Sequence, residues 1–269
     1  MRHDASQRND LILDLIVKSY IDTAEPVGSR TISRRSDLGL SPASIRNVMS
    51  DLEEGGFLKQ PHTSAGRVPT DKGYRYWVDS LMEPEELGPD ERALIQEELG
   101  RVRTIEGLAV KICKLISELT GNAVIVYIKN LKRVSFLNYL LEELVEAQKL
   151  ADFFEEEPEI FIDGAARIFE QPEFQDIAKM RMLLHVFDEK ADFLRSLLRE
   201  PDDELHVHIG HENQMQDLGD VSLVTKDCYL SEIPIGGVAV LGPTRMRYPK
   251  VLSVVDYVAD TVSETVKRF

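Results

Sequence analysis

SPASIRNVMSDLEEGGFLKQPHTSAGRVPT, residues 41–70, decides how the first third of the chain folds. Ser41 is a good N-cap, and Pro42 suits the first helical position, where its missing N–H costs nothing. Ile45, Val48, Met49 and Leu52 then recur at the i, i+3, i+4, i+7 spacing of one buried helical face. Gly55 and Gly56 break the helix, and Phe57-Leu58 is an apolar pair. KQPHTSAGRVPT after it is turn-rich, with Gly66 able to take positive φ. The pattern predicts a helix followed by a β-hairpin wing.

Working outward, Leu13, Ile16, Val17 and Tyr20 predict a helix over about 10–23 that Pro26 ends. A second, short helix is expected to begin with Ser29 as N-cap and to stop at Gly39. After the hairpin, a helix over 71–82 carries Tyr74, Tyr76, Trp77 and Leu81 as packing residues. Three short helices and a wing make a compact unit over residues 1–82.

The helix that starts at Pro42 has a second face, on which Ala43, Arg46, Asn47 and Ser50 stand at helical spacing away from the core set. Arg can bond guanine O6 and N7 bidentately, and Asn can do the same for adenine N6 and N7. Arg46 and Asn47 are therefore candidate base readers, with Ser50 on the same face. Arg30, Thr31, Ser41 and Ser44 are candidate phosphate contacts at helix N-termini. A solvated polar face is the plainer explanation of such residues on an isolated helix. The adjoining hairpin, with His62, Thr63, Ser64 and Arg67 and little apolar content, favours nucleic acid, because its composition suits phosphate or a minor groove.

A net charge of −15 looks wrong for a DNA-binding chain. Its distribution resolves the conflict. Residues 1–82 hold eleven Lys/Arg and eleven Asp/Glu, and all the excess acid, 36 Asp/Glu against 21 Lys/Arg, lies beyond. A neutral reading unit joined to an acidic body that DNA repels is the expected arrangement.

At 269 residues the chain is long enough for two domains. EPEELGPDE at 83–91 reads as a linker, although Pro89 with the acidic residues after it can also start a helix. Beyond it, 92–120 is helical in pattern, AVIVYI at 123–128 is a buried strand, and 137–155 and 173–200 are helical. LHVHIG, VSLVT and IGGVAVLG read as strands before a last amphipathic helix over 249–267, an α+β order suggestive of a sensor domain. The polar start MRHDASQRND lacks a secretory h-region, and no apolar run reaches membrane-span length, so a cytoplasmic chain with no membrane partner is expected. Cys113 and Cys228, far apart and outside any CxxC, are expected as reduced thiols.

EPVGSRTISRRSDLGLSPASIRNVMSDLEEGGFLKQPHTSAGRVPTDKGYRYWVDSLM at 25–82, EQPEF at 170–174 and GPTRMRYPKVLSVVDYVAD at 242–260 resemble the HrcA family of heat-inducible transcription repressors. The resemblance implies a winged helix-turn-helix followed by a GAF-like α+β domain with a helical dimerising segment inserted into it. It also implies a homodimer on an inverted-repeat operator of double-stranded DNA upstream of heat-shock chaperone genes, kept active by the GroE chaperonin. This chain departs from the pattern after LKRVSFL at 131–137, where it moves directly into NYLLEELVEAQKLADFF. Several tens of residues of the family pattern are absent there, so a reduced inserted segment around 138–200 is expected within a GAF-like domain over 92–269.

Rival readings are a regulator that senses a small molecule through its GAF-like domain, and an enzyme or metal protein with an accessory winged helix. His206, His208 and His211 near Asp202 and Asp203 resemble a metal set, but a strand-end cluster of surface histidines explains them as well. The glycines of IGGVAVLG open no helix after a strand, which argues against a dinucleotide loop and for close strand packing. No nucleophile–base or paired-carboxylate motif marks an enzyme, and neither a cofactor nor a metal is expected.

Overall fold

Leu13, Ile16 and Val17, spaced for one helical face, are fully buried in α1 (Arg2–Thr23), together with Ile12. The computed structural model describes residues 2–36, 38–128, 158–188, 204–213, 218–230 and 233–266. Helix α1 stops at Thr23, three residues before Pro26, and Ala24 takes φ 56° while its N–H still bonds Tyr20 O at 2.9 Å. Helix α2 (Ser29–Arg35) is capped by Gly28 in extended conformation, so Ser29 is its first residue and not its cap. Ser29 is buried there, which removes its hydroxyl from a capping role.

Helix α3 (Pro42–Glu54) begins as its sequence predicts, with Ser41 Oγ accepting from Ser44 N at 3.1 Å and Pro42 in the first turn. Ile45, Val48, Met49 and Leu52 are all buried. β1 (Leu58–Lys59) and β2 (Val68–Pro69) pair antiparallel, and α4 (Asp71–Ser80) follows with Tyr74 and Trp77 buried. Trp77 Nε1 donates to Asp14 Oδ1 at 2.8 Å and Tyr76 OH to Asp10 Oδ1 at 2.9 Å, so α4 is tied along α1 by polar contacts as well as packing.

Two compact units result: Met1–Glu85 with His208–Ser222 and Pro243–Pro249, and Glu86–Val207 with Leu223–Gly242 and Lys250–Phe269. In the first unit the turn Gly210–Glu212 lies on α4. Asp71 Oδ2 accepts from His211 N at 3.0 Å, and Arg75 Nε donates to Glu212 Oε1 at 2.9 Å. Burial works against the Glu212 charge, yet Arg75 and the Ile209 N–H hold its carboxyl below the ordinary carboxylate value. Tyr248 is buried against Tyr74 and Trp77, with ring centroids 6.1 and 6.5 Å away. Its hydroxyl donates to Thr244 O at 2.7 Å, so the 2.6 Å bond to Ser222 Oγ is donated by the serine.

The second unit is α+β. The helical pattern over 92–120 is two helices, α5 (Pro89–Gly100) and α6 (Ile105–Thr120), separated where Thr104 caps α6 by accepting from Gly107 N at 3.1 Å. β3 (Ala123–Ile128) pairs antiparallel with β4 (Glu159–Asp163) on one side and with β7 (Ile233–Pro243) on the other. With β5 (His206–Ile209) and β6 (Val221–Leu230) the sheet order is β4-β3-β7-β6-β5. Nothing in EIFID marked β4 as a strand, since three consecutive apolar residues lack alternation. Short α7 (Ala165–Phe169), α8 (Ile177–Asp188) and the closing α9 (Tyr248–Val266) complete it. The helix expected over 137–155 and the second part of that over 173–200 lie outside the described residues, as does about half of the expected inserted segment, whose described part, 158–188, includes β4 of the sheet.

Two buried features explain the sheet's composition. Gly236 and Gly237 lie against Tyr127, whose carbonyl and hydroxyl leave no room for a Cβ at either position, so these glycines serve close strand packing. Lys226 is buried, with Nζ 2.6 and 2.9 Å from Asp256 and Asp260. Burial disfavours its charge, and the two carboxylates outweigh that and hold the ammonium above its usual value.

Two outcomes follow from the first unit. Trp77→Ala removes a buried ring and its hydrogen bond to Asp14, which keeps only Lys18, and is expected to cost about 3–5 kcal/mol in urea unfolding followed by circular dichroism. Because the folded carboxyl of Glu212 is lowered, its stabilisation is present above the ordinary carboxylate range and is lost as pH falls through the folded value. Melting temperatures between about pH 6 and 3 should therefore fall less steeply in Glu212→Gln than in the parent.

Candidate nucleic-acid interface

Burying the Ile45–Leu52 stripe turns Ala43, Arg46, Asn47 and Ser50 outward, and all four are exposed. Ser41 is exposed and Ser44 half-buried at the N-terminus of α3, with their hydroxyls 3.0 Å apart. This end of the helix carries the positive pole of its dipole. Arg30 and Thr31 are exposed in the first turn of α2. Among the described residues neither Arg30 nor Arg46 has an acidic partner, so both guanidinium groups are available to an outside anion.

The hairpin turn is a strap of defined shape. Gln60 Nε2 donates to Thr63 O and to Ala65 O, each at 3.0 Å, and Ala65 N donates to His62 O at 2.8 Å. His62 and Ser64 stand exposed on it. At its base Val27 and Arg67 exchange two backbone hydrogen bonds of 2.9 Å, which seats the strap on the chain entering α2. Gly66 does not use the positive φ open to a glycine. It is needed because a Cβ would come within 2.5 Å of Val27 C and collide with the Val27 carbonyl oxygen.

Strap and helices enclose an open groove of about 340 Å³ lined by Gly28, Arg30, Arg46, Gln60, Ser64 and Arg67, among others. Arg30, Arg46, Ser64 and Arg67 thus meet in one place. Ser41, Ser44, Asn47 and Ser50 continue along α3, while Thr31 on α2 and His62 on the strap stand outside the groove lining. Arg67 differs from the other arginines: its side chain is 20% exposed, and Nε and Nη2 lie 2.9 and 2.8 Å from Glu53 Oε2. Glu53 and Gln60 were not singled out from sequence, because nothing local to either reveals a partner across the hairpin.

Other candidate chemistry is weaker. Among the described residues no three His, Cys, Asp or Glu are placed to hold a metal. His211 Nδ1 lies 2.7 Å from Asp71 Oδ2, and Asp202 and Asp203 lie outside the described residues. Burial pushes the Cys113 thiol up to about 12, which leaves it a poor nucleophile. An apolar cavity in the second unit, lined by Leu108, Ile112, Val126 and Val238 among others, holds about 30 Å³, room for little more than a water. No helix among the described residues is long and apolar enough to cross a membrane.

Comparison with known proteins places the chain in a family. The family model described as HrcA protein C terminal domain matches residues 128–252. The Heat-inducible transcription repressor HrcA of Desulfitobacterium hafniense is 34% identical, with 97% of this chain and 98% of that protein covered. That of Brevibacillus brevis is 33% identical, over 96% and 97%. The first alignment runs over 340 positions against 269 residues here, so several tens of positions in that relative have no counterpart in this chain. A crystal structure of a hypothetical protein shares the fold, with a TM-score of 0.73 at 22% identity over 97% of this chain and 98% of the other. By identity over nearly its whole length, this chain belongs to the HrcA family of heat-inducible transcription repressors.

Proposed function

We propose that the chain represses transcription of heat-shock chaperone genes by binding, as a cytoplasmic homodimer, an inverted-repeat operator in double-stranded DNA. Residues 1–82 act as a winged helix-turn-helix, 83–88 as a linker that ends where α5 begins, and the chain beyond, apart from 208–222 and 243–249 that join the first unit, as a GAF-like domain with a reduced dimerising segment around 138–200. The GroE chaperonin modulates its activity, a role that rests on the family resemblance and not on any residue described above.

The observation that carries the DNA reading is the exposed Arg46–Asn47–Ser50 face of α3 beside a strap that completes an arginine-lined groove. Arg46 and Asn47 read base edges in the major groove, with Ser50 beside them. Arg30, Thr31, Ser41 and Ser44 hold the phosphate backbone, and His62 and Ser64 on the strap meet phosphate or the minor groove. Arg67 belongs to the same surface at the base of the strap. A two-fold symmetric operator requires two such units, hence the dimer.

Binding to the inverted repeat upstream of the source organism's chaperone genes, followed by fluorescence anisotropy at one fixed salt concentration, tests this. Arg46→Ala and Asn47→Ala should each cost about 1–3 kcal/mol on the operator and relax specificity at one base position, while binding to a scrambled duplex changes little. Unchanged operator affinity in both variants would show that α3 does not read the bases. Added chaperonin should raise the wild-type affinity, and no response to it would remove the chaperonin from the account.

A further inference from the structure

The wing is too short to place itself. Its ladder is two residues long on each strand, and an isolated hairpin of that size is not stable in water. Its position must come from contacts at its base. Thr70 fastens the return strand, with its N–H donating to Phe57 O at 3.0 Å and its hydroxyl to Gly56 O at 2.6 Å. Val27 and Arg67 pair through their backbones, and Gly66 lets the two segments close. Leu58 and Val68 are buried beneath it, and a further contact is ionic: Arg67 reaches the last turn of α3 and donates twice to Glu53.

That pair sits oddly on a surface built for phosphate. A carboxylate at its edge repels DNA, and a guanidinium given to a carboxylate is withdrawn from it. Both costs make sense if the pair sets the distance between strap and α3. We infer that Glu53 is a positioning residue for DNA reading, acting through Arg67, and that Arg67 holds the wing against α3 instead of neutralising a phosphate. The inference rests on the DNA-reading proposal above. It makes the width of the groove between Arg46 and Ser64 depend in part on one ion pair that touches no base.

The two roles predict opposite signs. If Arg67 contacts phosphate, Glu53→Gln frees it and removes a repulsive charge, so DNA binding tightens. If the pair positions the wing, Glu53→Gln loosens the strap and operator binding weakens although an acid has been removed. The full chain and its Glu53→Gln, Glu53→Asp, Arg67→Gln and Glu53→Gln/Arg67→Gln variants would be titrated on the operator and on a scrambled duplex across a series of salt concentrations. Melting followed by circular dichroism would verify folding.

Each single variant is expected to lose about fivefold on the operator. The double variant should be no worse than Arg67→Gln, because both changes break one interaction. The salt slope should stay at the wild-type value. Glu53→Asp keeps the charge and shortens the reach, so it should weaken binding too, and it decides the matter if Glu53→Gln fails to fold. Tighter or unchanged binding by Glu53→Gln, or a salt slope lowered by about one in Arg67→Gln on both duplexes, overturns the inference. Loss of operator preference in the wild-type chain itself would instead overturn the DNA-reading proposal, and this inference with it.

Discussion

Burial of four side chains on α3 is the constraint from which the candidate interface follows. Ile45, Val48, Met49 and Leu52 leave water together, and a helix can satisfy them only in one rotation about its axis. That rotation presents Arg46, Asn47 and Ser50 to solvent. Ser41 and Pro42 set where the helix begins, so its N-terminal pole and the two serines fall beside the same face. The polar residues need no contact with the protein to be aimed. Their direction is a consequence of the apolar residues between them.

The surroundings of α3 are held in a different way, by contacts between residues far apart in sequence. Val27 meets Arg67, Glu53 meets Arg67, and the Gly66 backbone closes on Val27 where no side chain fits. Helix α4 is bonded to α1 through Trp77 and Asp14. The first unit also takes in 208–222 and 243–249, so Tyr248 packs on Tyr74 and Trp77 and Glu212 pairs with Arg75. Segments of the chain's last third are therefore part of the unit that carries the candidate DNA surface, and a change in those segments has a direct path to α4.

Legibility from sequence divides along the same line. Helix α3, its cap and its two faces were readable because every signal lay within fourteen residues of sequence and periodicity reports burial directly. The strands AVIVYI and IGGVAVLG and the closing helix were readable for the same reason. Local signals failed where the deciding partner was remote. Ser29 looks like a cap, but it is buried and Gly28 takes the position. Gly66 looked like a turn glycine, and its reason is the backbone of Val27. β4 exists because β3 offers it a ladder, which EIFID does not announce. The ion pair that distinguishes Arg67 from Arg30 and Arg46 had no sequence signature at all. The heat-shock role came from the resemblance, and the relatives' identity over nearly the whole chain established the family.

The central claim is that two copies of the α3 surface read a two-fold symmetric DNA site. Its most direct test is selection of binding sites by the purified full chain from a fully random duplex pool, at fixed salt, followed by sequencing. The account predicts an enriched inverted repeat, with half-sites whose centres face the same side of the duplex and a conserved G or A in each for Arg46 and Asn47. Enrichment of no consensus, or of a single half-site without its symmetric mate, would contradict it.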